Sequence, residues 1–510
     1  MKYNNPVISG FHPDPSICNV GEDYYLVTSS FEYFPGVPIF HSKDLVNWKK
    51  IGHCLTRESQ LDLKESKSSL GIFAPTIRYH NSKFYMITTN FTLRKNFFVW
   101  SEKPEGPWSE PIWLDWPGID PSLLFEDNKV YLTGTQDIFS SETVGIYQAE
   151  IDIDTGTILT ERKLIWEGSG GAYPEGPHLY KKNDYYYLLV AEGGTDYGHM
   201  VAVARSKNPY GPFESHPNNP ILTHRSSDSP IQATGHADLI QYKDGSWWTV
   251  FLAVRPAPIF GGKTHHLGRE TFLAPVDWTD NDWPIIQSEV ELEMDARNLP
   301  VMDLNKWRYK DDFNEKELDV EWNFLRNPNQ ESLSLTEKPG FLTLYGTSVT
   351  LDDLDSPSFI GRRQEHFNCK VSTLLAFSPA QDGEEAGITV IMNEKFHYEI
   401  AIGIRNGLKK VFVRRRVGSL WKVEEEHEYN HDSIVLTIQA EPVHYTFTYN
   451  QPNDSDSTVL GKGECSLISS EVAGGHTGVY FGLYATGNGR DSDTPAHFDW
   501  FKYDPSYLSK

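Results

Sequence analysis

Apolar and polar positions alternate with period two along most of this chain, the spacing of half-buried strands rather than helices. In the first 300 residues one short aromatic strand recurs five times. It reads DYYLVTSS (23–30), KFYMITTN (83–90), KVYLTGTQ (129–136), YYYLLVAEGG (185–194) and SWWTVFLAVR (246–255). Its anchor aromatics are Tyr25, Tyr85, Tyr131, Tyr186 and Trp248, roughly 46–62 residues apart. Each copy follows a shorter apolar segment through a polar turn: NVGED, HNSK, EDNK, KKND or KDGS. Gly, Asn and Asp in those turns supply the backbone geometry of a β-hairpin. Five hairpins at this period, with no amphipathic helix of useful length between them, predict a five-bladed β-propeller over residues 1–300. The competing reading is a large β-sandwich with coincidental hairpins.

Beyond Pro300 the pattern changes. WRYKDDFNEKELDVEWNFLRNP is charged and reads as a linker. Eight alternating segments follow: GFLTLYG, CKVSTLLAF, GITVIMN, HYEIAIGI, KKVFVRRR, SIVLTIQAE, HYTFTYN and GVYFGLY. Breaks at Gly, Pro and Asn every 10 to 20 residues or so predict a β-sandwich over 301–510. The basic run Arg414, Arg415, Arg416 falls on one of these strands and reads as a solvated strand face. The expected class is therefore all-β, a propeller followed by a sandwich.

Charge narrows the partners. The 510 residues carry 46 basic and 70 acidic side chains, a formal net charge of −24. That balance argues against nucleic acid, which needs a positive face, and against a polybasic membrane anchor. No apolar run is long enough to span a bilayer. Aromatics reach 13%, which suits strands and also sugar-stacking surfaces. The four cysteines, Cys18, Cys54, Cys369 and Cys465, show neither a CxxC nor a zinc-ligand spacing. The start MKYNNPVISG has no apolar signal core, so a cytoplasmic protein is expected.

The chemistry lies about eleven positions before the anchors. There the repeats read HPDPSI with Asp14, FAPTIRYH with Ala74, GIDPSLLF with Asp120, YPEGPHLY with Glu175, and TGHADLIQY with His236. Equivalent positions of successive blades converge on a propeller axis, so three carboxylates and a histidine should share one small space. Each DP or EGP alone reads as an ordinary turn with an exposed acid. Three in register are harder to explain that way, because crowded carboxylates repel and at least one pKa must rise. Glycoside hydrolysis uses such a pair, one acid to protonate the leaving oxygen and one carboxylate to activate water or attack. The flanking prolines restrict the backbone on either side of each acid. No P-loop, HExxH or Rossmann glycine pattern competes with this reading.

Together, NPVISGFHPDPSI, GIDPSLLF, YPEGPHLY and TGHADL resemble glycoside hydrolase family 43 over essentially the whole chain. The resemblance implies a five-bladed propeller and a concanavalin-like (jelly-roll) C-terminal sandwich that closes one side of the pocket, with GGHTGVYFGL and His476 as the candidate loop. It implies an inverting glycosidase with Asp14 as general base, Glu175 as general acid and Asp120 as the carboxylate that raises the pKa of the acid. Inversion leaves room for water, with acid and base about 6.5–9.5 Å apart. His236 matches a family histidine beside a calcium or a water-filled site, held there through water. The alternative is a neutral histidine hydrogen-bonded to a carboxylate, since calcium prefers oxygen. Arg269, in LGRET, and Thr195, in EGGTDYGH, match sugar-pocket contacts, each with an ordinary structural hydrogen bond as the alternative.

Phe31, Tyr33 and Phe73 match pocket aromatics. Phe73 and Tyr33 stand where many β-xylosidases of the family carry Trp, and FAPTIRY and GHADLIQYKDGSWW look more like the arabinofuranosidase branch. The expected activity is exo-acting release of terminal pentose from arabinoxylan- or arabinan-type oligosaccharides by an α-L-arabinofuranosidase. A β-1,4-xylosidase, or an enzyme doing both, comes second, and a non-catalytic carbohydrate-binding propeller third. No cofactor is required, a calcium ion near the propeller axis being one of the two readings of His236, and the partner is a small oligosaccharide. Homo-oligomers are common in the family.

Overall fold

The computed structural model describes residues 1–259, 262–286, 289–300 and 309–505. Between Ser16 and Ile286 the chain forms five four-stranded antiparallel sheets in succession. The first strands of the five are Ser16–Val20, Thr76–His80, Ser122–Glu126, Glu175–Lys182 and Gln232–Gln241. Each of these neighbours the next, and the fifth returns to the first, so the five form a closed ring.

The turns explain why the first two strands of each sheet find one another. His80 pairs with Lys83 and Glu126 with Lys129, leaving two-residue loops. Asn81 and Ser82, and likewise Asp127 and Asn128, have positive φ at both loop positions. Such turns match the right-handed twist of the strands they join.

The ring is closed by the N-terminal segment. Lys2–Asn4 pairs with Glu293–Asp295, Ile8 bridges Thr271, and the Asn5 side chain bonds both backbone groups of Leu273. His12 N–H donates to the Arg269 carbonyl at 3.0 Å. That stitch brings Asp14 beside Arg269, far away in sequence.

At the ring's centre Asp238 ties four of the five first strands together. Its carboxylate accepts from Ser16 Oγ (2.7 Å), Ile17 N (3.0 Å), Arg78 Nη1 (2.8 Å) and Tyr180 OH (2.5 Å). Arg78 Nη2 also meets His178 Nδ1 at 3.1 Å. A carboxylate this buried is tolerable because it is paired with a guanidinium and its lone pairs are filled.

The second half packs two large antiparallel sheets face to face, one of eight strands and one of six. Their core includes Leu342, Val371, Ile388, Ile400, Val411 and Phe498. All eight segments expected from the alternation are strands. Six more strands of these two sheets went unread: the short Tyr309–Asp311 and Leu333–Ser334, and Ser358–Arg363, Leu420–Glu428, Thr458–Glu464 and Pro495–Asp504. Leu420–Glu428 and Thr458–Glu464 are terminal strands of their sheets, polar enough to hide the period.

Two expectations are corrected here. The described part of the linker-like segment is docked. Phe324–Leu325 pairs with Tyr33–Phe34, and Glu321 accepts from Lys50 Nζ at 2.7 Å. Its charges serve as partners, Lys50 being 2% exposed in its side chain. The Arg414–Arg416 run is not a solvated face. Arg414 is buried and bonded to both Glu385 and Glu399, and Arg415 pairs with Glu464.

The two halves meet over an aromatic surface. Phe11, Phe31 and Tyr33 pack with Leu325, Leu351, Phe359, Phe412, Tyr480 and Tyr484. Fully burying a large apolar side chain contributes ~1.5–3 kcal/mol, so this contact holds the halves together firmly.

Candidate active site

Asp14, Asp120 and His236 stand at the same place in three sheets, two residues before Ser16, Ser122 and Asp238. All three have left-handed backbones, with φ of 54°, 52° and 46°. Such angles are uncommon for these residues and concentrate at functional sites. In the fourth sheet that place belongs to Gly176, at φ 57°, and Glu175 is the residue before it. The register there slips between Glu175 and His178, a bulge that re-aims the side chain. A Cβ on Gly176 would lie 2.9 Å from the His236 ring, so glycine is required for space as well as for φ.

The three carboxyl groups sit in different surroundings. Asp14 is buried, which opposes its charge most strongly. Arg269 Nη1 at 2.9 Å, His236 Nδ1 at 3.8 Å and the Ser29 hydroxyl at 2.5 Å more than offset this, and its pKa falls below the usual carboxylate value. Asp120 accepts from the Gly176 N–H at 3.0 Å. Burial, against the pull of His236 and with the repulsion of Asp14, raises its pKa. Glu175 keeps 21% of its side chain exposed. Burial first, then Asp120 and Asp14, push its pKa up to about 8. At neutral pH the cluster thus holds its proton on Glu175 while Asp14 is ionised.

His199 went unpredicted. Its Nδ1 lies 3.2 Å from the Ala233 carbonyl, which can only accept, so Nδ1 carries the hydrogen. Burial lowers its pKa to about 3, and its bare Nε2 stands 4.0 Å from Glu175 Oε1. A neutral ring adds no counter-charge beside Glu175. Ser29 and Gly176 were also missed. Ser29 sits in an SS pair with no signature, whereas the EGP of YPEGP does signal Gly176.

Arg269 organises the rest. Its Nη1 also donates to Thr195 Oγ1 at 3.0 Å, and its Nη2 to the His476 carbonyl at 3.3 Å. His476 comes from the second half, so both halves build the site. Phe31 lies beneath the guanidinium, 5.7 Å from ring centre to Cζ, and against the His476 ring. Phe73 is partly exposed, stacks on Phe91 at 4.3 Å and makes a tilted contact with Phe31 at 5.3 Å.

Two of the residues expected here do otherwise. Tyr33 is not a pocket wall: it is 1% exposed and stacks on Tyr480 at 3.9 Å within the contact between halves. The surroundings of His236 do not fit calcium, which takes six to eight oxygens. Its ring is capped by Gly176 and faces Asp14, with His178 and the cationic Arg78 toward the axis. Among the described residues no group of three or more His, Cys, Asp or Glu side chains is arranged to hold a metal.

A protonated carboxylic acid beside an ionised carboxylate is the pairing that glycoside hydrolases use. The model of glycosyl hydrolases family 43 matches residues 3–284, and that of the beta xylosidase C-terminal concanavalin A-like domain matches 310–504. The chain belongs to family 43 and is a glycosidase. It is 44% identical to the non-reducing end alpha-L-arabinofuranosidase BoGH43B of Bacteroides ovatus, over 98% of this chain and 94% of that one. It is 41% identical to a xylosidase/arabinosidase of Butyrivibrio fibrisolvens, over 98% of each. The solved structure of Bacteroides ovatus Xyloglucan PUL GH43B superposes with a TM-score of 0.94 at 43% identity, covering 99% of this chain and all of that one. These relatives are named as enzymes or glycoside hydrolases, and the non-catalytic alternative finds no support among them.

Proposed function

We propose that the protein is an exo-acting, inverting α-L-arabinofuranosidase that removes terminal pentose from arabinoxylan- or arabinan-type oligosaccharides. In this reading the five sheets are the blades of a propeller spanning 1–300, and residues 301–510 close one side of its pocket. Asp14 takes a proton from water as the water attacks the anomeric carbon. Glu175 gives its proton to the leaving oxygen as the glycosidic bond breaks on the opposite face. Asp120 keeps Glu175 protonated and orients the segment through Gly176. The observation that carries this assignment is Arg269, bonded at 2.9 Å to Asp14, the carboxylate that must be ionised. Arg269 and Thr195 also offer polar groups to sugar hydroxyls, and Phe73 an apolar wall.

The arabinofuranoside preference is supported by the name of the 44%-identical relative and by Phe73. A xylosidase, or an enzyme with both activities, is the second reading, because the 41%-identical relative bears both names. Side-by-side hydrolysis of the aryl α-L-arabinofuranoside and the aryl β-D-xyloside tests the choice. Preference for the xyloside reverses the order. Turnover with retention, read by NMR of the first-formed sugar, refutes the inverting assignment. We place the enzyme's action in the cytoplasm, on short imported oligosaccharides. The four unpaired, buried cysteines accord with a reducing compartment.

A further inference from the structure

Arg269 depends on three separate chain segments, and one side chain of the second half ties all three together. Thr195 lies on the loop between strands Tyr185–Glu192 and Met200–Ser206. That loop begins with Gly193 and Gly194, both at positive φ. Arg269 follows four residues after His265. The His476 carbonyl lies five residues after Glu471, on the segment leaving the single-turn helix Ser470–Ala473.

Glu471 joins them. One carboxylate oxygen accepts from Tyr197 OH at 2.6 Å, two residues beyond Thr195, and meets His265 Nδ1 at 2.7 Å. The other accepts from His265 N–H at 2.9 Å. Hydrogen bonds to an ionised acceptor are about twice as strong as neutral ones. Burial opposes the charge of Glu471 most strongly, but the three donors outweigh it and hold the carboxylate ionised, its pKa lowered to about 2. Other charges nearby are Lys263, whose Nζ lies 5.9 Å from the Tyr197 ring, and Asp196, which acts on the Tyr197 hydroxyl.

We propose that Glu471 is a positioning residue, which fixes Arg269 against Asp14 by clamping the Thr195 loop and the His265–Arg269 segment to the second half. The proposal rests on the reading of Asp14 as the general base. Its consequence is specific. Asp14 is buried beside Asp120 and Glu175, and its cationic or hydrogen-bonding neighbours are Arg269, His236, His476 and Ser29. When Arg269 loosens, burial and the two acids prevail, and Asp14 takes up a proton at higher pH.

The test uses the full chain and the variants E471Q and Y197F. In E471Q the amide nitrogen faces a donor, the His265 N–H or the Tyr197 and His265 side chains, and bonds are lost without loss of volume. The acid limb of the kcat/KM profile should move upward by about 0.5–1 pH unit, with kcat/KM on that limb falling by up to about tenfold. Y197F should move it in the same direction by less. A structural role alone would lower the melting temperature and leave the acid limb in place. That result, with kcat/KM within about twofold of wild type, overturns the proposal. Should E471Q fail to fold, Y197F decides by the same criterion. D14N, assayed in parallel, separates the two claims. Full turnover by D14N refutes the base assignment itself, whereas an inactive D14N with unmoved limbs in E471Q and Y197F refutes only the role of Glu471.

Discussion

Replacing Asp120 by Asn tests the electrostatic core of the mechanism. The change removes one negative charge, keeps the shape, and leaves an oxygen for the Gly176 N–H. The pKa of Glu175 is pushed from 4.5 up to about 8, a rise equivalent to roughly 5 kcal/mol. Burial contributes most, Asp120 next and Asp14 after it, with Arg269 opposing. Asp120 therefore supplies less than half of the upward push, on the order of 1–2 pH units. D120N should bring the basic limb of kcat/KM from about 8 down to roughly 6–7. At pH 7 the protonated fraction of Glu175 then drops from about nine in ten to about one in four at the middle of that range. The assay is kcat/KM against pH on an oligosaccharide, whose sugar leaving group needs the proton. The loss relative to wild type should be larger at pH 7 than at pH 5.5. A folded D120N whose basic limb stays at the wild-type position, or moves upward, refutes the reasoning.

The same raised pKa affects stability. A folded-state pKa above the unfolded value means that stability is greatest below pH 4.5 and falls as pH rises toward 8. E175Q should remove that fall, and in urea titrations it should gain on wild type at pH 8 by at most ~5 kcal/mol and gain nothing at pH 4. G176A should lose most activity and ~1–3 kcal/mol of stability, because alanine strains the φ of 57° and meets the His236 ring. Full activity in G176A would contradict the need for glycine beside Glu175. D238A leaves the partly buried Arg78 without its fully buried carboxylate partner and should cost ~3–5 kcal/mol, read by denaturant midpoint. A loss under ~1 kcal/mol would show that the central tie is dispensable.

Much of the fold was legible because its signals are local. The first hairpin of each sheet carries its own turn residues, and most long strands of the second half alternate cleanly. The strands that escaped notice include polar edge strands such as Leu420–Glu428, where one partner and much solvent remove the need for a period. The carboxylate cluster was legible through register, since Asp14, Asp120 and His236 occupy one repeated position. The slip that gives that position to Gly176 was not, because a bulge is a property of pairing. Tyr33 was misplaced for a related reason. Its neighbourhood in SSFEYFPG points to the pocket, but its partner Tyr480 lies far away in sequence and nothing local announces it. Charge in the segment before Pro328 resembled a linker because buried ion pairs and solvated charges look alike in a sequence. Lys50 and Glu321 show the difference only once they meet.

The aromatic contact between the halves has a consequence for synthesis on the ribosome. Phe11, Phe31 and Tyr33 leave the exit tunnel early, yet Tyr480 and Tyr484, which cover them, come near the end of the chain. At about 5–20 residues per second, the 210 residues beyond Pro300 take roughly 10–40 s to appear. During that interval the first half carries an unpaired strand at Tyr33–Phe34 and an uncovered aromatic face. Nascent chains stalled between residues 300 and 480 should therefore engage chaperones and aggregate more readily than chains released at full length.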